Sequence, residues 1–200
     1  MAGLMASGLA HAALAPTSRY TKVDLKPPAC RRDPGPAEGF SCIGLGGWDV
    51  SIGFPAIGAS IVIARSGRLG SRDLDARDGR SLVVEDLSAS TSIIEWRGAV
   101  RGGRFEPTAA ILRVSVLDAT QRQEMIESGG PPLALPRRTQ VLIVYRLGPK
   151  GACHIAYVDA GMNPNANDLA REAADEPTAC PVDRVAVPGR SSPILDGNIR

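Results

Sequence analysis

The sequence predicts an α+β fold, a mostly antiparallel sheet of about six strands with one C-terminal helix packed on a face. Short apolar segments with period-two alternation recur along the chain, and turns rich in glycine and proline separate them. One helical stripe of small apolar residues follows the last of these segments. Because 44% of the 200 residues are hydrophobic and 22% are charged, a packed core is feasible, and the length suits one domain.

The predicted strands differ in how regularly apolar and polar residues alternate along them. Trp48, Val50 and Ile52 take alternate positions after a Gly-Gly pair that indicates a bend or bulge. The segment 139–147 is the most apolar and is predicted to lie at the centre of the sheet. Residues 65–80, with interleaved Arg, Asp and Gly, predict a solvated loop. The predicted strands are 43–54, a short strand at 61–63 within 58–65, 81–86, 91–97, 108–118, 139–147 and 153–159.

A short helix is predicted over 119–127. Asp118 precedes it as a candidate N-cap, and Gln121 stands at the capping-box position. In the strand 108–118 before it, the alternating apolar residues predict one buried face, with Arg113 and Ser115 on the opposite face. The chain therefore passes from a well-patterned strand directly into a helix.

The C-terminal part of the chain is organised around the segment from Cys153 to Cys180. A strand over 153–159 carries the chain roughly 20 Å, at about 3.3 Å per residue. Asn163-Pro164 then predicts a helix start, because Asn163 can accept a hydrogen bond from the first turn and proline there loses no hydrogen bond.

The helix that follows is expected to fold back over its own strand, and Pro177 ends it. It returns the chain roughly 18 Å, at about 1.5 Å per residue, so Cys180 arrives near Cys153 and a disulfide is predicted. Arg171 is expected on the solvated side, between aspartates at i−3 and i+4. The apolar stripe consists of Ala166, Leu169, Ala170, Ala173 and Ala174.

The four cysteines allow three pairings. We favour Cys30 with Cys42 and Cys153 with Cys180, because both closures are local. The first pair brackets a short loop full of turn-forming residues. Each disulfide would add about 2–4 kcal/mol of stability. Paired cysteines match an oxidising compartment.

The first twelve residues, MAGLMASGLAHA, resemble the end of a secretory signal peptide. Ala10 and Ala12 fit the −3 and −1 positions of a signal-peptidase site, so cleavage is expected after Ala12. The usual basic start is missing, since no Lys or Arg precedes Arg19. A disordered N-terminus is the alternative reading. No apolar run in the sequence is long enough to span a bilayer.

Candidate catalytic residues are few. His154 is the only histidine after the expected cleavage point, so a histidine-based hydrolase would depend on it, with Asp159 as the nearby acid. A structural histidine in a strand is the stronger interpretation. Glu95 and Glu106 would form a carboxylate pair only if the fold brought them together, and exposed carboxylates are the simpler reading.

Cofactor and metal motifs are missing from the sequence. Asp159, Asn163 and Asp168 do not have the spacing of a calcium loop, and one histidine beside paired cysteines leaves no zinc set. The glycines around Gly44 do not form a dinucleotide fingerprint, and no phosphate loop or nucleophile elbow occurs. A net charge of +2 argues against nucleic acid as the partner. No cofactor is predicted.

Six sequence blocks carry a resemblance to a known family. They are YTKVDL, SCIGLGGWDV, SIIEWRG, PTAAILRV, QVLIVYRL and CHIAYVDAGMNPNANDLAREAADE. Their order and spacing resemble a family of small exported alphaproteobacterial proteins of unknown function, and the resemblance covers 20–183. It implies a periplasmic or secreted location and paired cysteines, and it implies no activity.

These observations together predict a signal peptide over 1–12, one domain over 13–183 and a coil tail over 184–200. The expected function is that of a non-enzymatic periplasmic protein that binds an envelope protein or a small ligand. A hydrolase that uses His154 and a structural envelope component are the alternatives.

Overall fold

Two antiparallel sheets and three short helices make up the described part of the chain. The computed structural model describes residues 15–23, 25–33, 39–53, 60–67, 92–129, 137–149, 151–180 and 184–199. The five-stranded sheet has the order β1 (Thr17–Val23), β6 (Ser92–Arg101), β7 (Arg104–Leu117), β8 (Arg138–Gly148), β9 (Gly151–Asp159). The four-stranded sheet has the order β2 (Cys30–Arg32), β3 (Gly39–Ile43), β4 (Trp48–Gly53), β5 (Ser60–Arg65). The helices are α1 (Ala119–Ser128), α2 (Ala166–Asp175) and α3 (Pro193–Asn198).

The predicted class, a mostly antiparallel α+β protein, is confirmed, but the strand count is wrong. The described residues form nine strands in two sheets rather than about six in one. The expected loop between Cys30 and Cys42 supplies β2 and β3, and these two strands pair with the cysteines directly opposite each other. The central strand of the larger sheet is β7, whereas β8, which contains 139–147, lies fourth in the order.

The main core lies between the two sheets. Alternate side chains of each strand point inward, as their period-two patterns predict. Trp48 and Ile52 of β4 and Ile94, Trp96 and Leu112 of β6 and β7 are each at most 1% exposed. The indole Nε1 of Trp96 donates a hydrogen bond to the hydroxyl of Thr21 in β1, 2.7 Å away, so the polar atom of this buried ring is satisfied.

A second, smaller core lies between α2 and the outer face of the larger sheet. Ala166, Ala170 and Ala174 are buried there, as the helical stripe predicts, and their small size allows the helix to lie close to β8 and β9. The guanidinium of Arg146 in β8 donates hydrogen bonds to the carbonyl oxygens of Ala174 and Glu176. Carbonyl groups at the C-terminal end of α2 are therefore satisfied from the sheet.

The start of α2 differs from the prediction. Asn165 holds the N-cap position without a side-chain hydrogen bond. Asn163 instead donates to the carbonyl oxygens of Asp159 and Arg190 and accepts from the backbone N–H of Arg190. For α1, the predicted cap is confirmed, since a carboxylate oxygen of Asp118 accepts from the backbone of its first turn.

The expectation that 184–200 is a coil tail is wrong for the described residues 184–199. This segment contains α3, whose N-cap is Ser192, and the side chain of Leu195 is fully buried in the main core. Ala186 forms a parallel bridge with Ala156 of β9. The tail is therefore an integrated part of the fold. The expected signal peptide, the strand 81–86 and most of the loop 65–80 lie outside the described residues.

Candidate functional site

The outer face of the larger sheet has a covered half and an open half. Helix α2 covers the half formed by β8, β9 and the adjoining part of β7. On the other half, Tyr20 of β1 is 58% exposed and Ile93 of β6 is 56% exposed. We call the side chains of Tyr20, Lys22, Ile93 and Arg113 the open strip.

Strand register brings the residues of the open strip together. Lys22 lies directly opposite Ile93, and Tyr20 lies opposite Glu95, so Tyr20 and Ile93 are diagonal neighbours on one face. Ile94 pairs with Leu112, which places Arg113 at the end of the same row, next to Ile93. The strip therefore runs across three strands and combines an aromatic side chain, an aliphatic side chain and two cations.

The two cations of the strip are not paired with carboxylates within the part of the chain that the structure describes. Arg113 donates to the amide oxygens of Gln140, at 3.3 Å, and Asn167, at 3.0 Å. Both partners are neutral, so they orient the guanidinium and leave its charge uncompensated. Lys22 is exposed at the sheet edge. The open strip consequently presents positive charge around an apolar centre.

A network of charged side chains borders the strip and ties β1, β6 and α2 together. The carboxylate of Glu95 accepts from both Nε and Nη2 of Arg171, at 2.8 and 3.1 Å. The hydroxyl of Ser18 donates to the same carboxylate at 2.6 Å and accepts from Arg97 at 2.7 Å. Arg97 also forms a bidentate ion pair with Asp175 at the end of α2.

This network shifts the protonation equilibria of its members. Burial of Glu95 favours its neutral form, but hydrogen bonds from Arg171 and Ser18 outweigh that effect and hold the pKa of Glu95 below its usual value. The same hydrogen bonds to Glu95 raise the pKa of Arg171. Arg171 is thus not the solvated side chain between two aspartates that its spacing predicts. It retains the contact with Asp168, while Asp175 pairs with Arg97.

His154 lies in a cluster of aromatic residues. Its Nδ1 is 2.6 Å from the hydroxyl of Tyr157, and its ring packs edge-on against Tyr145, with the centroids 4.6 Å apart. The strand register skips Ile155 between the pairs Tyr145–His154 and Val144–Ala156, which is a β-bulge. The bulge turns His154 toward the side of β9 on which Tyr157 lies.

Both tyrosines of this cluster are buried. Burial raises the pKa of Tyr145, and its hydroxyl donates to the backbone oxygen of Ile61 in the other sheet at 3.4 Å. The cluster therefore connects the two sheets. The contacts of His154 with Tyr157 and Tyr145 support its structural interpretation.

Asp159, the acid considered for a hydrolase, has a different role. It is fully buried, and its carboxylate accepts five hydrogen bonds. Three come from Thr139, Gly161 and Met162, and two come from the backbone and hydroxyl of Ser192. The carboxylate thus fixes the turn before α2 and anchors the tail, so the structure does not place it as a partner for His154.

The other carboxylates singled out in the sequence are separated. Glu106 pairs with Arg101, at 3.7 Å, near the hairpin between β6 and β7. Glu95 lies opposite Ile111, five positions along β7 from Glu106, so the two glutamates do not form a catalytic pair. Within the described residues, no group of three or more histidine, cysteine or acidic side chains is arranged to hold a metal ion.

The cysteines lie in the pairing that the sequence favours. The Sγ atoms of Cys153 and Cys180 are 2.04 Å apart, and those of Cys30 and Cys42 are 1.96 Å apart. Both distances are disulfide distances. The first pair joins β9 to the segment after α2, and the second joins β2 to β3.

Comparison of the chain with family models, with curated proteins and with solved structures found no match. Among the described residues, none of the helices combines the length and the apolar character that a membrane crossing requires.

The local sequence pattern does not reveal the open strip. In the segment TSRYTKV, Val23 is the one aliphatic residue and the residues next to Tyr20 are polar or charged, so the segment lacks the apolar alternation that marks a half-buried strand. Its strand character comes from pairing with β6, which is a long-range contact. The alternation of Arg113 with buried residues was the one local signal, and it predicted the correct face.

Proposed function

We propose that this protein is a non-enzymatic exported protein, periplasmic or secreted, that binds a component of the cell envelope through the open strip. The observation that carries the proposal is the exposure of Tyr20 and Ile93 between Lys22 and Arg113, beside a face that α2 otherwise covers. Aromatic side chains and arginine are the residues most enriched at protein interfaces.

Continuous strand pairing and an ion pair hold the residues around the strip in place, which favours binding. β1 and β6 are paired without interruption from Thr17 to Val23, and Arg171 fastens α2 to Glu95 beside the strip. A binding surface held by strands and ion pairs loses little conformational freedom when a partner docks, so more of the contact energy appears as affinity.

The proposed extracytoplasmic location is supported by the cysteines. Two pairs lie at disulfide distance in a chain of this size, and disulfides persist mainly in oxidising compartments. The proposal of a non-enzymatic role is supported by the hydrogen bonds of Asp159, whose carboxylate is committed to the turn and the tail.

Site-specific photocrosslinking tests the proposal. A photoreactive phenylalanine analogue replaces Tyr20 in one variant and Thr120, an exposed residue of α1, in the matched control. We expect a discrete adduct with an envelope component at position 20 and none at position 120. The adduct should disappear when Lys22→Glu and Arg113→Glu are added.

An identical set of adducts at both positions, or no adduct at position 20, would contradict binding through the open strip. An adduct that is abundant and remains with the cell wall or outer membrane after washing would favour the structural envelope component over a soluble binder.

A further inference from the structure

The two edges of the larger sheet differ in whether another segment of the described chain hydrogen-bonds to them. At the β9 edge, the backbone N–H of Tyr157 donates to the carbonyl of Ala186, and the N–H of Ala186 donates to the carbonyl of Ile155, both at 2.9 Å. The tail therefore occupies part of that edge. At the other edge, β1 pairs with β6 and no strand among the described residues pairs with its outer side.

The β1 edge is long and regular. Its seven residues, Thr17–Val23, pair with β6 in one continuous register without a bulge, and the segment contains no proline. By comparison, β2 at an edge of the smaller sheet has three residues. An open, regular edge presents unpaired N–H and C=O groups at alternate residues, and these can hydrogen-bond an added strand.

The positively charged side chains of β1 favour an added strand that carries negative charge. Arg19 and Lys22 are exposed and lie three positions apart, so they project from opposite faces of the strand. Arg113 adds a third cation on the face of Lys22. A second copy of this chain would bring the same cations to the edge, and like charges close together across paired strands are destabilising.

We propose that β1 receives an extended acidic segment of a partner protein by antiparallel strand addition, with acidic side chains beside Arg19 and Lys22 and an apolar side chain beside Tyr20. The inference rests on the proposed function and adds the class of partner. In antiparallel register, the residues that face Lys22, Tyr20 and Arg19 are at positions j, j+2 and j+3 of the partner. The expected recognition pattern is therefore acidic, any residue, apolar, acidic.

A labelled peptide measures this preference directly. The probe is acetyl-Thr-Glu-Thr-Val-Glu-Thr-Thr-amide, which carries the pattern, and its counterpart has lysine in place of both glutamates. We expect fluorescence anisotropy to show that the glutamate peptide binds at least about tenfold more tightly, with an affinity that falls as salt is added. A version with proline in place of both the valine and the threonine before it should not bind, because neighbouring N–H groups of a strand point to opposite sides and one of the two must donate to β1.

Charge reversal separates recognition from a structural effect. In the double variant Arg19→Glu and Lys22→Glu, the preference should invert, so that the lysine peptide binds more tightly than the glutamate peptide. The matched control is Arg101→Glu with Arg104→Glu at the tip of the β6–β7 hairpin, which changes net charge equally and should retain the original preference. Hydrogen exchange at Thr17–Val23 should slow only when the preferred peptide is bound.

Equal binding of the two peptides, or binding without slower exchange in β1, would overturn the inference. Sedimentation that shows a concentration-dependent dimer, with β1 protected in the absence of peptide, would assign the edge to a second copy and overturn it as well. If the adduct at position 20 forms but the acidic peptide does not bind, the proposed function stands and the strand-addition inference fails.

Discussion

The ion pair between Glu95 and Arg171 links α2 to the open half of the sheet, and its environment makes it pH-dependent. The side chain of Glu95 is 12% exposed and that of Arg171 is 36% exposed. Because the pKa of Glu95 is lowered in the folded protein, its contribution to stability is fully present above the ordinary glutamate pKa, which applies in the unfolded chain. That contribution is lost as the pH falls through the lower folded pKa.

We therefore predict that Glu95→Gln destabilises the protein at pH 7 and that the difference from wild type shrinks below about pH 4. A double-mutant cycle with Arg171→Met should give a coupling energy of about 1 kcal/mol at pH 7, since solvent screens the exposed arginine. Urea unfolding at several pH values measures both quantities. The same cycle on Arg101 and Glu106, an exposed pair, should show no measurable coupling. A pH-independent effect of Glu95→Gln would contradict the assignment.

The carboxylate of Asp159 also holds together segments that are distant in the chain. We predict that Asp159→Asn lowers the free energy of unfolding by about 2–3 kcal/mol, because the amide nitrogen would face N–H or O–H donors and leave buried groups unsatisfied. Chemical denaturation measures the change. Asp168→Asn is the control, because that carboxylate is 69% exposed and should change stability little. Equal effects of the two substitutions would contradict the role of Asp159 as a buried anchor.

Local sequence signals predict residues whose partners are near in the chain. Asp118 caps α1 as predicted because its partners, Thr120 and Gln121, follow directly. The neighbouring residues favour Asn163 as a helix cap equally well, yet its side chain donates a hydrogen bond to the carbonyl oxygen of Arg190, 27 positions away. The same limit applies to Glu95, whose partner Arg171 is 76 positions away. The ion-pair network around the site was therefore not predictable from neighbouring residues.

At the scale of elements, α2 is held against the sheet by close contact of small side chains. Ala170 is fully buried against the outer face of the sheet. We predict that Ala170→Leu destabilises the protein by about 1–3 kcal/mol, because the added atoms must displace the helix or strain its rotamers. Urea unfolding measures this. Glu172→Leu, on the exposed side of α2, is the matched control, and a comparable loss there would indicate that the substitution acts through helix propensity.

Helix α3 lies in the tail, where the sequence predicted coil, and its contribution to stability can be measured. We predict that Leu195→Ala in α3 costs about 2–5 kcal/mol, because the side chain is fully buried in the main core. Thermal unfolding should remain a single transition with a lower midpoint. Ile126→Ala on α1, where the side chain is 55% exposed, is the control and should have little effect. A wild-type midpoint for Leu195→Ala would show that the tail is not part of the cooperative unit.

Periodicity explains which elements were predictable. α2 buries one face along its length and carries a clear period of 3.6. β7 carries a period of two in its C-terminal part, whereas residues 109–112 are buried on both faces, between the main core and α2. β2 has three residues and α3 has six, so neither offers enough positions for a period to be read. The tail also contains proline and glycine, which suggested coil, although Pro193 stands at the first position of α3, where proline is favoured.

At the scale of the whole molecule, the sequence predicted the class and missed the division into two sheets. The inner faces of both sheets carry the same kinds of apolar residue, so the pattern does not indicate which strand belongs to which sheet. Pairing between distant segments, such as β1 with β6, decides the assignment. The cysteine pairing was easier to predict than the sheet assignment. Four cysteines allow only three pairings, and the short connections favour the one that the structure shows.

The two cysteine pairs bear both on the stability of the fold and on the compartment in which the protein works. We expect peptide mapping without reductant to find Cys30 linked to Cys42 and Cys153 linked to Cys180. By loop-closure entropy, the first link should contribute about 3 kcal/mol and the second about 3.5 kcal/mol, so paired serine substitutions should lower the free energy of unfolding by similar amounts in oxidising buffer. In reducing buffer the variants and the wild type should converge, because the links are then absent from all of them. Free thiols in protein purified from the periplasm, or a cross-linked pattern that joins Cys30 to Cys153, would contradict the pairing and remove the main support for export.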